Sequence, residues 1–401
     1  EATAKQATQY CNWVFYRDNA GLLILHNWFK DALLQKVGVV KAYWDESAYY
    51  QFTLEQIEND IEDPTQELHE MCLHVVDKVV QSQALLNDFC IPEAFHEAVS
   101  DSWQAKAPSL YSRLDLVYDG TGPAKLLENN ADTPTSLYES GFWQWLWLEQ
   151  QVDSGALPNA SDQFNSLQEK LIMRFRDIAN HYQQKNMHFS CCLDSDEDRG
   201  TVQYLQDCAT QAGLSTPFVF IDDIGVTDTH RFLDLDNNPM DMAFKLYPWE
   251  FMLKEEFGEI AAYSDTKWVE PIWKSVLSNK ALLPLLWEMF PNHPNLLPSY
   301  LHRDLDKVDK AGKWVKKPIF SREGANIMII DNGDVIAQTG GEYGDEGVIF
   351  QQFTPLPKFA DNYTLIGSWL VNDMPAGISV REDNTLITQD TSRFVPHIIL
   401  G

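Results

Sequence analysis

Arg113-Leu-Asp-Leu-Val-Tyr118, Asp119-Gly-Thr-Gly122 and Lys125-Leu-Leu-Glu-Asn-Asn-Ala-Asp-Thr-Pro-Thr-Ser136 together form the stretch that decides the reading of this chain. Leu114, Leu116 and Tyr118 alternate with Asp115 and Val117, the two-residue period of a strand. Asp119-Gly120 supplies hairpin-turn chemistry, and a second strand is expected over 125–130. Arg113, Asp115 and Val117 then share one face of the first strand, and Glu128 and Asn130 share one face of the second. If the register brings these faces together, an arginine meets three oxygen-bearing side chains. Mg²⁺ takes hard oxygen ligands and usually shares them with substrate phosphates. Arg113 would neutralise a phosphoryl oxygen beside it. The same spacing also describes a solvated hairpin with a cross-strand ion pair, and spacing alone does not choose.

Outward from the hairpin, the 401 residues are enough for two or three domains. An apolar content of 44% and thirteen tryptophans support a large core. No apolar run approaches the length of a membrane span. The first residues show no basic region followed by an apolar stretch, so no signal peptide is read there. The net charge of −29 argues against nucleic acid as a partner, which would need basic patches. It favours cationic partners such as polyamines, or serves solubility alone. The six cysteines Cys11, Cys72, Cys90, Cys191, Cys192 and Cys208 form no zinc-type spacing, and a reducing cytoplasm is expected.

Residues 52–87 carry apolar positions at helical spacing, with Pro64 between two helices or starting the second. A further helix lies between Pro92 and Pro108. After the hairpin, Thr133-Pro-Thr-Ser136 is a polar loop leading into a helix over 137–151, a setting that suits either an anion or plain capping. A helix over 163–186, a strand over 188–193, an acidic loop 194–200, a helix over 201–212 and a strand over 218–221 read as a parallel α/β unit. Glu197 and Asp198 then lie beyond a strand C-terminus, where they could hold an ammonium group or stabilise a helix start. Asn279-Lys280 opens a helix over 275–290. Lys316–Ile327 runs strand, glycine turn, strand, and such a turn can cover phosphates with backbone N–H groups. Strands follow over 348–353 and 365–387, with 381–386 read as a turn.

In this order, Arg113-Leu-Asp115, Leu127-Glu-Asn-Asn-Ala-Asp-Thr133, Lys245-Leu-Tyr-Pro-Trp-Glu250, Asn279-Lys280, Lys317-Pro-Ile-Phe-Ser-Arg-Glu-Gly324 and Arg381-Glu-Asp383 resemble the ligase half of the glutathionylspermidine synthase family, including its stand-alone bacterial acid–amine ligases. The resemblance covers about residues 45–400. It implies an ATP-grasp fold of mixed α+β and α/β type, with a parallel α/β substrate region and N-terminal helices. The expected parts are a mostly helical region at 1–108, the metal hairpin and its helix at 109–162, the α/β substrate domain at 163–245, and the ATP lid with its antiparallel core at 246–401.

By the resemblance, Asp115, Glu128 and Asn130 match Mg²⁺ ligands. Arg113 and Arg381 match arginines at the phosphoryl-transfer centre, and the run Arg113-Leu114-Asp115 faces ATP. Lys280 and Lys317 match lysines on the phosphates, and Gly324 lies in the loop covering them. Gln351, Gln352 and Phe353 line the adenine pocket, and Leu386 packs on the base. Thr133 and Thr135 stand where the family uses serines toward its glutathione substrate. Glu197 and Asp198 stand where it has paired glutamates. Leu246 replaces a threonine, and the amidase domain is absent.

The reaction implied is ATP-dependent joining of an acid to an amine by an amide bond, through an acyl phosphate. ATP and Mg²⁺ are the expected cofactors, and small molecules such as a glutathione-like peptide and a polyamine the expected partners. Charge developing on the γ-phosphoryl oxygens calls for fixed cations rather than a nucleophilic side chain. The rival readings are a nucleotide-binding regulatory protein without turnover and a small-molecule kinase.

Overall fold

The computed structural model describes residues 49–359, 361–388 and 392–400. Residues 1–48 of the expected N-terminal helical region, Cys11 among them, lie outside the described residues. Helix α1 (Asp63–Val80) continues directly from a π-helical turn over Gln56–Glu62, with Pro64 in its first turn, where no N–H is needed. Its fully buried stripe is Leu68, Cys72, Val75, Val76 and Val79. The hairpin follows as β1 (Tyr111–Val117) and β2 (Lys125–Asn130). Next come α2 (Gln144–Asp153), α3 (Leu167–Tyr182), β3 (His188–Cys191), α4 (Asp196–Gln211), β4 (Met242–Leu246) and β5 (Lys267–Val269). The last part runs α5 (Leu282–Met289), β6 (Ser299–Leu301), β7 (Lys313–Pro318), β8 (Met328–Asp331), β9 (Asp334–Gln338) and β10 (Val348–Gln352). It closes with β11 (Asn362–Val371), β12 (Met374–Asp383) and β13 (Arg393–Val395).

These strands make three sheets that matter for the site. An antiparallel sheet has the order β13-β12-β11-β1-β2, a second antiparallel sheet the order β9-β8-β7-β10-β6, and a parallel sheet the order β3-β4-β5. The hairpin register sets Arg113 opposite Asn130 and Asp115 opposite Glu128, with a bulge just after Asp115. Because β1 lies between β11 and β2, every one of its residues is buried. Leu114 and Leu116 join the core that α1 supplies on one side, and Tyr111 stacks toward Phe244 and Trp369 at the other end. Strand pleating therefore presents Arg113 and Asp115 away from the α1 core.

Several local expectations are corrected. The acidic run at 194–200 is not a loop: α4 begins at Asp196, and Ser195 caps it by accepting from the Asp198 N–H at 3.2 Å. Three acids in the first turn complement the helix dipole. Phe218–Ile221 is not a strand. Phe218 bridges Phe189 in parallel, with bonds between Phe189 and Pro217 and between Val219 and Phe189, before a 3₁₀ turn, and β3 pairs as a regular parallel strand with β4. The expected helix 275–290 is broken between Leu277 and Leu282, and that break carries Asn279 and Lys280. Arg381 sits within β12, not in a turn. Among the described residues, Cys72, Cys90, Cys191, Cys192 and Cys208 are free thiols, and no helix is long and apolar enough to cross a membrane.

Candidate active site

The hairpin pair forms one end of the site. Asp115 is buried and accepts from Arg113 Nε at 2.6 Å, Arg113 Nη2 at 3.2 Å and Arg381 Nη2 at 2.8 Å. Arg113 also donates to the Thr135 carbonyl at 2.6 Å and lies 5.4 Å from the centre of the Trp369 ring. Two guanidinium groups thus share one carboxylate. Burial lowers the pKa of Arg381, and the neighbouring Arg113 charge lowers it further. Arg381 Nε is buried without a partner. A buried, unsatisfied N–H on a cation calls for an anionic acceptor.

The second strand carries the lysine side. Glu128 Oε2 lies 3.0 Å from Lys280 Nζ, and Glu128 Oε1 accepts from Asn130 Nδ2 at 3.3 Å. Burial would raise the Glu128 carboxyl, but Lys280 and Lys317 outweigh it and hold it well below the usual range. Lys280 also donates to the Ser321 carbonyl at 2.8 Å, which ties the broken helix to the glycine turn. Lys317, at 6% exposure, donates to the Leu127 carbonyl at 2.9 Å and to Gln351 Oε1 at 2.7 Å. Burial pushes its pKa down to about 8, against the pull of Glu128.

Two cavities meet at these groups. One, of about 790 Å³, has apolar walls from Val315, Ile327, Ile329, Phe353, Leu365 and Leu386, with Lys317, Gln351, Gln352 and Thr354 among its polar lining. The other, of about 960 Å³, holds Arg113, Asn130, Thr133, Thr135, Glu197, Glu250, Arg322 and Arg381. Asp115, Glu128, Lys280 and Gly324 line both. Gly324 has φ +71°, and a Cβ there would sit 2.4 Å from the Thr388 carbonyl oxygen, so only glycine closes the turn at this point.

The polar cavity is framed by buried charge. Asp132, next to Thr133, pairs with Lys245 Nζ at 2.8 Å and accepts from the Trp249 N–H at 2.6 Å. Ser278 Oγ accepts from the Ala131 and Asp132 N–H groups at 2.9 and 2.6 Å. Lys274 bonds the Tyr111 and Ala131 carbonyls and pairs with buried Glu270 at 3.3 Å. These bonds pin the loop after β2 to the C-terminal edge of the parallel sheet. Arg322, in the glycine turn, donates to Thr133 Oγ1 at 2.5 Å and lies 3.5 Å from Glu250 Oε1.

The structure brings Arg113, Asp115, Glu128, Asn130, Lys280, Lys317, Gly324, Gln351, Gln352, Phe353, Leu386, Arg381, Thr133, Thr135 and Glu197 onto these two cavity walls. Two expected residues fall elsewhere. The Leu114 side chain is wholly buried in the α1 core, because pleating turns it from its neighbours. Asp198 is off both walls, since the early start of α4 makes it part of the first helical turn. Glu250, Arg322 and the Asp132–Lys245 pair were given no role from sequence. A lysine inside the apolar strand Met242–Leu246 was the available signal for a buried partner.

The donor set fits Mg²⁺. Asp115 accepts three hydrogen bonds and Glu128 two, fewer than the four lone-pair directions of a carboxylate. Asn130 spends an N–H on Glu128 and keeps its carbonyl oxygen. Four cations, Arg113, Arg381, Lys280 and Lys317, surround these two carboxylates, an excess that a metal-bound polyphosphate would balance.

Mixed helix and sheet in this arrangement define a glutathione synthetase-like fold. A glutathione synthetase-like effector from Globodera pallida superposes with a TM-score of 0.52 at 9% identity, over 88% of this chain and 89% of that one. The glutathionylspermidine synthase preATP-grasp family matches residues 26–400, starting upstream of the quoted motifs, and the chain belongs to that family. It is 40% identical over 363 residues to a protein named “Putative acid–amine ligase” of Haemophilus influenzae, covering 88% of this chain and 90% of that protein. It is 26% identical over 388 residues to the bifunctional glutathionylspermidine synthetase/amidase of Escherichia coli, covering 89% of this chain. The match spans 60% of that protein's length. The chain is an ATP-dependent ligase that forms a C–N amide bond.

Proposed function

We propose that the protein condenses a carboxylic acid with an amine through an acyl phosphate, using an ATP-grasp site at the junction of the two cavities. The apolar cavity takes adenine, with Gln351, Gln352 and Phe353 along its edge and Leu386 on its face. Lys280 and Lys317 bind the phosphates, and the turn at Gly324 covers them and excludes water that would hydrolyse the acyl phosphate. Asp115, Glu128 and Asn130 would hold Mg²⁺, which when bound neutralises phosphate charge. Arg113 and Arg381 stabilise the γ-phosphoryl oxygens during transfer to the acid carboxylate. The amine nitrogen then attacks the acyl carbon, and phosphate leaves. Thr133 and Thr135 face the acid, and Glu197 faces the amine.

In this reading residues 109–162 carry the metal hairpin, 163–245 frame the acid and amine, and 246–401 hold ATP. A glutathione-like acid and a polyamine are the first pair to try, from the names of the relatives and the acidic chain. Use of ATP fits a cytoplasmic setting. The single observation that carries the proposal is the carboxylate of Asp115 shared by two guanidinium groups, one with a buried, orphaned N–H. A panel of acids crossed with amines, read by ADP release and product mass, tests it. ADP and phosphate are expected only when both partners are present. AMP and pyrophosphate would overturn the mechanism, a stable phosphorylated product would mark a kinase, and tight ATP binding without turnover across the panel would mark a regulatory protein.

A further inference from the structure

The amine that attacks an acyl phosphate must first lose a proton, since an alkylammonium ion has a pKa of about 10.4 in water. The acids on the polar cavity wall are not equally able to take it. Asp115 is paired with two arginines, and Glu128 with Lys280. Glu197 and Glu323 are exposed, so water competes for any ammonium group they meet. Glu250 differs: its side chain is 12% exposed and it lines the cavity. It stands just beyond the C-terminus of β4, as Glu197 does beyond β3, where ligands of parallel sheets gather.

We propose that Glu250 is a catalytic residue of the ligase reaction, the base that receives the ammonium group of the amine substrate and removes its proton before attack. The proposal rests on the acyl-phosphate reading. One proton passes from the ammonium nitrogen to a Glu250 carboxylate oxygen. The freed lone pair forms the C–N bond, and the C–O bond to phosphate breaks with its electron pair on oxygen. The second proton lost by nitrogen goes to the departing phosphate, and Glu250 returns its proton to solvent.

The charged and titratable groups around Glu250 are Arg322 from the glycine turn, Asp132 from the loop after β2, Lys245 from β4, and Tyr343. Asp132 and Lys245 are committed to each other at 2.8 Å. Among the described residues Arg322 is the cation paired with Glu250, at 3.5 Å, and its shorter bond is the 2.5 Å one to Thr133. Burial raises the Glu250 pKa, with Arg322 opposing. A carboxylate so raised is a stronger base than one in water.

The test compares two nucleophiles in the full chain, with glutathione as the acid. Spermidine arrives as an ammonium ion, whereas hydroxylamine is a neutral nucleophile at pH 7.5 and needs no base. E250Q is expected to lose about a hundredfold or more with spermidine, in line with the usual worth of a general base. Its hydroxamate formation with hydroxylamine stays within about threefold, and its spermidine rate rises about tenfold per pH unit as free amine accumulates. Equal loss with both nucleophiles, or no loss with either, overturns the assignment. If E250Q does not fold, E250D takes its place: its spermidine rate is expected to fall while its hydroxylamine rate is kept, and equal loss with both nucleophiles overturns the assignment. Wild-type protein that releases no ADP with either nucleophile fails the ligase reading itself, a different result from any of these.

Discussion

The two cavities hold their charges in contrasting ways. On the nucleotide side, Asp115 faces Glu128 across one pair of strands and Lys317 bonds Gln351 across another, and two side-chain bonds to the Leu126 and Leu127 carbonyls lock the two pairs together. On the acid and amine side, Thr133, Glu250 and Arg322 come from a loop, a helix start and a glycine turn, joined only by tertiary contacts. Phosphate handling is one chemistry and can be built into a rigid ladder. In the proposed reading, substrate choice is set by parts that can be exchanged separately, Thr133 and Thr135 among them.

If that contrast holds, damage to the ladder should stop turnover with every substrate pair, and damage to the joined parts should change stability, affinity or the use of one substrate. The largest effect is expected at Asp115. D115N takes the shared negative charge from Arg113 and Arg381, and kcat should drop by about a hundredfold or more, measured as ADP release, while the circular dichroism spectrum is kept. Lys245 comes next. K245M strands Asp132 as a buried, unpaired carboxylate, and chemical unfolding should show a loss of about 3–5 kcal/mol. An unchanged midpoint would mean that the loop after β2 is held without this pair.

The turn that separates the cavities should respond more mildly. G324A forces a side chain into positive φ and against the Thr388 carbonyl, and the KM for ATP should rise about tenfold, roughly 1.4 kcal/mol. The smallest effect is a pH dependence. Lys317 titrates at about 8 in the free protein because burial disfavours its charge. Phosphates beside it would raise that value, so ATP binding should take up part of a proton at pH 8 to 9. Affinity for ATP should be flat below pH 8 and fall above it, and calorimetry in buffers of different ionisation heat measures both.

The same contrast explains what the sequence made legible. The hairpin was readable because alternation and Asp-Gly turn chemistry are local, and its faces needed only the register of β1 and β2. Leu114 shows the limit of motif reading: it sits between two site residues, yet pleating sends it into the core. The acidic run at 194–200 looked like a loop, but a serine cap and three acids at a helix N-terminus make a good first turn. The apolar, aromatic run at Phe218 reads as a strand and does bridge β3, but the regular partner of β3 lies more than twenty residues further on, at Met242–Leu246. Glu250 and Arg322 had no local signal, since their meaning arises only where two distant segments touch.

The central claim is that the γ-phosphoryl group of ATP is transferred to the acid carboxylate before the amine attacks. It is tested most directly with ¹⁸O placed in the carboxylate of the acid. Turnover by the proposed route delivers one labelled oxygen per event into inorganic phosphate, with ADP as the other product. Label appearing in AMP, or remaining wholly outside the released phosphate, would contradict it.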